Sequence, residues 1–356
     1  MSNPWAAWLA EHDTRRFPLS RKQGWDAFAT GPPRPGFEAL TRAQMSRLGQ
    51  EELTDYKQAR FVWHANPPVV KTQQLSAAFE VIDQVMCENY RDSDRVKGSV
   101  VIDAKPGLGK TTIATRYGKK FHLDQYRRYG SVTAEGNQRL PVVFLPLSAG
   151  MTLKDLNIKL LQFYGHPAAR AKTKATLGSL AVDCVFSCDT RLIVIDDLHF
   201  INFRHRNGTE VSNHLKWLAN EMPVTFIIVG VGLARKHYFD EGLFGDEAEY
   251  AQTGRRATAC PVVPFAIDTA AGLRAWTDLL RAFEKHAILA DAHPDMLTNH
   301  ARELFRITQG HIGSLTNHFD RMCSLAITTG AETIDEDIVK RAIADVAAQS
   351  RLRPPA

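Results

Sequence analysis

The sequence predicts an α/β fold in which helices flank a parallel β-sheet and a small all-helical domain follows. Three observations predict it. Four near-continuous apolar runs occur in order: Ser99-Val-Val-Ile102, Pro141-Val-Val-Phe-Leu145, Leu192-Ile-Val-Ile195 and Val224-Thr-Phe-Ile-Ile-Val229. Stretches long enough for helices separate them, and strands that are apolar throughout are those buried on both faces of a parallel sheet. After Phe265 such runs stop and helical spacing takes over.

Residues 1–60 read as an N-terminal extension in which Trp5, Trp8 and Trp25 sit among polar residues, interrupted by the breaker Gly31-Pro-Pro-Arg-Pro-Gly36. A polar helix is expected from the cap-like Thr41 toward Tyr56. The extension is either packed against the rest of the chain or a partner-docking arm. Residues 61–265 are expected to form the α/β domain. In it, Leu75, Phe79, Ile82, Val85 and Met86 mark a helix leading into the first strand, and a short fifth strand is expected at Cys260-Pro-Val-Val263. Residues 266–349 form the helical domain: one stripe runs from Leu273 to Phe283, a second from Leu297 to Phe305, and a third from Ile312 to Ala326. A fourth helix is expected to open on the capping box Thr333-Ile-Asp-Glu336, and residues 350–356 are a tail.

At 356 residues the chain has room for one large domain and a smaller one, and 44% hydrophobic with 23% charged residues is the balance of a soluble globular protein. The formal charge of +5 permits a nucleic-acid or acidic partner without specifying one. Five cysteines form no CxxC pair, which points to free thiols in a reducing compartment. Cys184 and Cys188 could share a helix face, yet no His or Cys pair completes a zinc set. The N-terminus lacks the basic-then-apolar order of a signal peptide, and no apolar run approaches the roughly 20 residues that span a bilayer. A cytoplasmic protein with no membrane partner is expected.

The first chemistry-bearing motif is Ala104-Lys105-Pro106-Gly107-Leu108-Gly109-Lys110-Thr111-Thr112, a phosphate-binding loop with Ala in place of the first glycine. Backbone N–H groups must turn inward around a triphosphate, and Gly107 and Gly109 allow that approach. Lys110 would reach the β- and γ-phosphates, and Thr111 would offer a hydroxyl to Mg²⁺. ATP and Mg²⁺ are the expected cofactors, with residues Lys105 to Thr112 contacting the nucleotide. A buried strand runs into the loop and a helix leaves it, from Thr112 to about Phe121.

The second motif, Arg191-Leu-Ile-Val-Ile-Asp196-Asp197, is an apolar strand ending in two carboxylates. Asp196 suits Mg²⁺, partly through water, and Asp197 suits orienting the attacking water. Asp197 stands where an ATPase usually carries Glu, one methylene longer. Two further motifs leave alternatives open. Arg255 and Arg256 are either an arginine finger reaching a neighbouring subunit's phosphate or a surface pair. Lys154, Arg170, Lys172, Thr173 and Lys174 are either contacts to a DNA backbone or a solvated basic face. Phe203-Arg-His-Arg206 and Lys119-Lys120 are weaker versions of the latter, and His199 reads as structural.

Beyond these motifs, Arg191 to Phe200, Glu210-Val-Ser-Asn-His-Leu-Lys-Trp-Leu-Ala-Asn-Glu-Met-Pro223 and Phe226-Ile-Ile-Val-Gly230 resemble the transposition regulators TniB and TnsC, AAA+ ATPases related more distantly to MuB and IstB. Thr308-Gln-Gly-His-Ile-Gly-Ser-Leu315 and Ala326 to Ile334 are similar to that family's helical lid, and Lys57 to Thr72 to its linker beside the adenine. The resemblance covers about residues 55–345. It implies an AAA+ P-loop fold and an ATP-dependent DNA-binding regulator of transposition. Subunits would assemble as a homo-oligomeric ring or helical filament on double-stranded DNA, mark a target, and recruit or activate a transposase, with a target-selection protein as a further partner. It also implies that Lys110, Thr111, Asp196 and Asp197 keep their roles. Arg255 or Arg256 falls at the trans-acting arginine, and residues 170–174 fall where the family tracks DNA.

Three positions depart from the pattern. Asp197 replaces Glu, Gly313 stands where many AAA+ lids present an arginine, and Gly230-Val-Gly232 lacks the customary Thr or Asn sensor. Slow or partner-stimulated hydrolysis is the expectation. The rival readings are a STAND-type signalling or anti-phage defence ATPase, a small-molecule kinase and a helicase loader.

Overall fold

The computed structural model describes residues 3–13, 15–92, 97–167, 174–200, 206–233, 257–347 and 349. Five strands form one sheet: β1 (Ser99–Asp103), β2 (Val142–Pro146), β3 (Leu192–Asp196), β4 (Thr225–Gly230) and β5 (Ala257–Ala259). Their order is β2-β3-β4-β1-β5 and every pairing is parallel. The helices are α1 (Pro4–His12), α2 (Lys22–Thr30), α3 (Arg42–Met45), α4 (Gln50–His64), α5 (Gln73–Met86), α6 (Lys110–Tyr129), α7 (Leu153–Tyr164), α8 (Lys174–Ser187) and α9 (Arg206–Glu221). After the sheet come α10 (Ala270–Glu284), α11 (Ala301–Thr308), α12 (Ile312–Thr329) and α13 (Glu336–Arg341).

The chain divides into two compact units: Arg16–Pro32 with Gln74–Val262, and Met1–Arg15 with Pro33–Gln73 and Val263–Ala356. The first is the sheet unit. Every residue of β3 and β4 is buried, as continuous β-branched runs require when both faces are covered. Residues 16–32 join it through Trp25, which is fully buried, stacks on Phe144 at 6.0 Å between ring centroids, and donates its indole N–H to His122 Nδ1 at 3.3 Å. That packing requires Gly118 on α6, because a Cβ there would stand 2.9 Å from the Trp25 ring.

The second unit is helical, with a core of Trp276, Phe283, Leu304, Phe319, Met322 and their neighbours. The segment containing α4 belongs to it. Arg60 Nη1 donates to Glu332 Oε2 at 2.6 Å with both side chains buried, and the Arg60 guanidinium lies 4.4 Å over the Tyr56 ring. Trp63 stacks on His286 at 4.4 Å and donates to its carbonyl at 2.8 Å. Gly310 is left-handed (φ 70), and its carbonyl accepts from Phe265 N at 2.9 Å. A Cβ at this position would lie 2.1 Å from Phe265 O, which is why the Thr308–Leu315 stretch needs glycine here.

Four expectations are corrected. The fifth strand is Ala257–Ala259, three residues earlier than expected: Cys260 N still donates to Val101 O at 2.8 Å, and the pairing with β1 ends there. The single helix expected from Thr41 to Tyr56 is two helices. Thr41 does cap the first through a capping box with Gln44, but Gly49 is extended (ψ 160) and starts the second. The last helix is capped by Asp335, whose carboxylate accepts from Ile338 N at 2.9 Å, and not by Thr333, whose hydroxyl is buried without a hydrogen-bond partner. The helix after the phosphate loop also runs eight residues beyond Phe121, to Tyr129. Among the described residues no helix is long and apolar enough to cross a membrane, and all five cysteines are free thiols.

Candidate active site

The site is assembled at the C-terminal ends of three adjacent strands, the edge of an open α/β sheet at which ligands bind. β1 ends at Asp103, and residues 104–109 turn the chain into α6. Ala104 N donates to Gly230 O at 3.4 Å, tying the start of the loop to the end of β4. Gly107 and Gly109 adopt left-handed conformations (φ 76 and 80), where a Cβ is costly, and Leu108 between them is buried and anchors the loop. Residues 105–107 are exposed.

The helix that follows is set up for an anion. Its N-cap is Gly109, no side chain caps its first N–H groups, and its first turn carries no acid. Those donors and the positive end of the helix dipole therefore face outward from the loop. Lys110 Nζ spans the loop to Lys105 O at 2.8 Å. Burial pushes its ammonium below the ordinary lysine range, while Asp196, Asp103 and Asp197 pull it back up. Asp103 is thus a further charge at the site; its place at the end of β1, next to the loop, is the signal by which the sequence could have shown it.

Thr111 and Asp196 meet directly. Thr111 Oγ1 donates to Asp196 Oδ2 at 2.8 Å, while Asp196 Oδ1 accepts from Asp197 N at 2.9 Å. Asp196 is buried, and desolvation raises its carboxyl above the ordinary aspartate range; the Thr111 hydrogen bond opposes this and the Asp197 charge adds to it. Asp197 is half exposed and holds a left-handed backbone (φ 61), uncommon for a residue other than glycine, and tolerated best by Asp and Asn. His199, read from the sequence as structural, has its Nδ1 3.7 Å from Asp197 Oδ1.

Both expected cofactors fit these residues. The left-handed glycines and uncapped helix start suit a polyphosphate. The paired Thr111 hydroxyl and Asp196 carboxylate are hard oxygen donors suited to Mg²⁺. Among the described residues no group of three or more His, Cys, Asp or Glu could hold a metal ion, so phosphate oxygens and water would complete the shell, as Mg²⁺ prefers. Lys154 belongs to α7 and is exposed. Lys174 begins α8, while Arg170, Lys172, Thr173, Arg255 and Arg256 lie outside the described residues, as do residues 203–205.

The chain is similar in fold to the Aeropyrum pernix Orc1 protein, solved in complex with DNA, with a TM-score of 0.56 and 13% identity over 82% of this chain and 69% of that one. It is also similar to the Walker-type ATPase PABY2304 of Pyrococcus abyssi, with a TM-score of 0.51 and 12% identity over 78% of this chain and 75% of that one. At such identities the likeness carries the fold alone, the AAA+ P-loop fold with a helical lid. No curated protein sequence matches the chain. The family model for the bacterial TniB protein matches residues 60–240, just over half of the chain and a span that contains the phosphate loop and the acidic strand end. The protein belongs to the TniB family.

Proposed function

We propose that the protein is an ATP-dependent, DNA-binding regulator of transposition that assembles on duplex DNA with ATP at subunit interfaces, marks a target, and recruits or activates a transposase. The observation that carries this reading is the Thr111–Asp196 hydrogen bond in a chain of the TniB family. It joins the phosphate loop to the acidic strand end, as a nucleotide-hydrolysing site requires.

In the proposed site, the backbone N–H groups from Lys105 to Thr112 and the Lys110 ammonium hold the triphosphate. The Thr111 hydroxyl and Asp196 hold Mg²⁺, partly through water. Held there, Mg²⁺ would supply positive charge to the phosphoryl oxygens. Asp197 orients the attacking water, and Arg255 or Arg256 acts on the nucleotide of a neighbouring subunit. Lys154 and residues 170–174 follow the DNA backbone, and residues 266–349 act as the lid.

Two features support slow hydrolysis. The Asp197 carboxylate reaches one methylene less far than a glutamate. β4 ends in Gly230, where a Cβ would meet the Leu233 side chain at 2.7 Å, so the strand offers no polar sensor at that point. ATP then acts chiefly as an assembly switch and its hydrolysis as the release step. Electron microscopy of the full chain with duplex DNA and a slowly hydrolysed ATP analogue tests this. Rings or filaments centred on DNA are expected, and they should be absent for Lys110→Ala. DNA binding that is indifferent to nucleotide would overturn the reading.

A further inference from the structure

The opposite end of the sheet carries a second constellation. α6 runs 20 residues from the phosphate loop, about 30 Å, and ends at Tyr129 near the N-terminal ends of β2 and β3. Three guanidinium groups lie over the Tyr129 ring, with Arg191, Arg139 and Arg128 at 5.3, 5.5 and 5.9 Å from its centroid. Arg139 is fixed in place: its Nε donates to Gly130 O at 3.0 Å, its Nη2 to Val132 O at 3.3 Å, and its Nη1 pairs with Asp189. Asp189, itself left-handed (φ 48), also accepts from Arg191 Nε at 3.1 Å, so two guanidiniums share one carboxylate.

Arg128 is exposed, and Tyr90 and Tyr129 raise its already high pKa. Arg128 and then Arg191 hold the Tyr129 hydroxyl below the usual phenol range. Lys97 donates to Asn89 O at 3.0 Å, and its ammonium is pushed down by burial and then by Arg191. Arg128, Lys97 and one of the two arginines on Asp189 therefore lack a carboxylate of their own among the described residues. They spread from β2 to β1, three strand spacings or about 15 Å.

Apolar side chains stand beside this charge. Val132 is 55% exposed and Phe186 57%, and both are tied to the cluster: Val132 O accepts from Arg139, and Phe186 O from Asp189 N at 3.1 Å. Exposed apolar and aromatic groups beside arginines held in place by their neighbours are the composition of a protein interface. Single-stranded nucleic acid fits less well, because it stacks bases on open aromatic faces and guanidiniums already lie over Tyr129. A duplex backbone would leave the exposed Val132 and Phe186 side chains without apolar partners.

We propose that this end of the sheet is a docking surface for an acidic protein segment that presents carboxylates to Arg128, Arg191 and Lys97 and an apolar side chain to Val132 and Phe186. Carboxylates match guanidiniums two bonds at a time, and the Tyr129 ring gathers the guanidiniums at one place. The surface stands apart from the nucleotide site and does not rest on the transposition reading.

The test uses the full chain and three fluorescein-labelled probes: a short peptide of alternating Glu and Leu, the same peptide with Gln for Glu, and a short random duplex. Only the Glu-Leu peptide should lose affinity, roughly tenfold for Arg128→Glu and about threefold for Val132→Ser, and its binding should weaken with salt. Unchanged ATP hydrolysis in both variants checks that they fold. Three results would each overturn the proposal: Glu-Leu binding unaffected by Arg128→Glu, equal binding of the Gln-Leu peptide, or an equal loss of duplex affinity, which would mark the surface as one for nucleic acid.

Discussion

Replacing Asp196 by Asn separates the two things this carboxylate does. Its side chain is 4% exposed and accepts from Thr111 Oγ1 at 2.8 Å and from Asp197 N at 2.9 Å. The amide is isosteric, so its oxygen can keep the Asp197 N–H, and its NH₂ can donate to the Thr111 hydroxyl, which turns to accept. Two charge-assisted bonds become neutral ones, a loss of about 1 kcal/mol at each. Against this, the variant no longer buries a charge, and burial is the largest influence on the raised Asp196 carboxyl. The two effects oppose each other, so ligand-free stability should change by no more than about 1 kcal/mol, under about 4 °C in melting temperature for a unit of this size.

The outcome with ligand is different. A saturating ligand at about 100 times its Kd stabilises the folded state by about 2.7 kcal/mol, and the Mg²⁺-dependent share of that should vanish in Asp196→Asn. Thermal melts of both proteins with and without ATP, each with and without Mg²⁺, read this directly. A variant that keeps the full Mg²⁺-dependent shift would refute the role given to Asp196. A ligand-free melt lowered by more than about 10 °C would refute the claim that the two energies cancel.

Asp197→Asn preserves the left-handed backbone that Asn tolerates as well as Asp, so nucleotide-dependent melting shifts should persist while steady-state phosphate release falls by about 10²-fold or more. Asp197→Glu should raise phosphate release if reach limits the rate, and no gain would count against that explanation. In the helical unit, burial holds His64 neutral and its pKa down to about 3, with Nε2 accepting from Ile288 N at 2.9 Å. The unfolded imidazole takes up a proton below about 6.5 and the folded one does not until about 3, so stability falls as pH drops through that window, by up to on the order of 4 kcal/mol. Urea melts at neutral and mildly acidic pH should show a smaller difference in His64→Gln than in the wild type. Arg60→Ala strands the buried Glu332 carboxylate and should cost about 3–5 kcal/mol in urea melts at neutral pH, with a loss below about 1 kcal/mol arguing against a buried, paired charge.

The elements that could be read from the sequence are those with strong local signals. β1 to β4 were legible because both faces are buried and their residues are apolar without alternation. β5 was placed three residues late because Ala257-Thr-Ala259 has no apolar signature and the more hydrophobic run beside it contains Pro261. The interleaving of the two units was not legible at all. Trp25 meets Phe144 and Gly118, and Arg60 meets Glu332, across more than ninety residues, and nothing local in the sequence announces either contact. In the site, the loop and the acidic strand end were legible as motifs. The left-handed turn at Asp197 and the convergence of Arg128, Arg139 and Arg191 on Tyr129 depend on backbone placement that spacing does not carry.

The way the site is divided between strands bears on why binding and turnover can be separated in the proposed switch. What would hold the phosphates belongs to β1, the loop and the first turn of α6: backbone donors, two left-handed glycines and Lys110. These depend little on side-chain identity beyond Lys110 and Thr111, and the buried Leu108 and the Ala104–Gly230 hydrogen bond fix them. What would aim water lies elsewhere, on the ends of β3 and β4, where the chain offers a short carboxylate at Asp197 and no polar side chain at Gly230. Thr111 joins the two sets by donating to Asp196. A site of this kind can therefore hold ATP tightly while hydrolysing it slowly. Removing Asp196 should abolish the cation's effect on both, whereas changing Asp197 should move turnover alone.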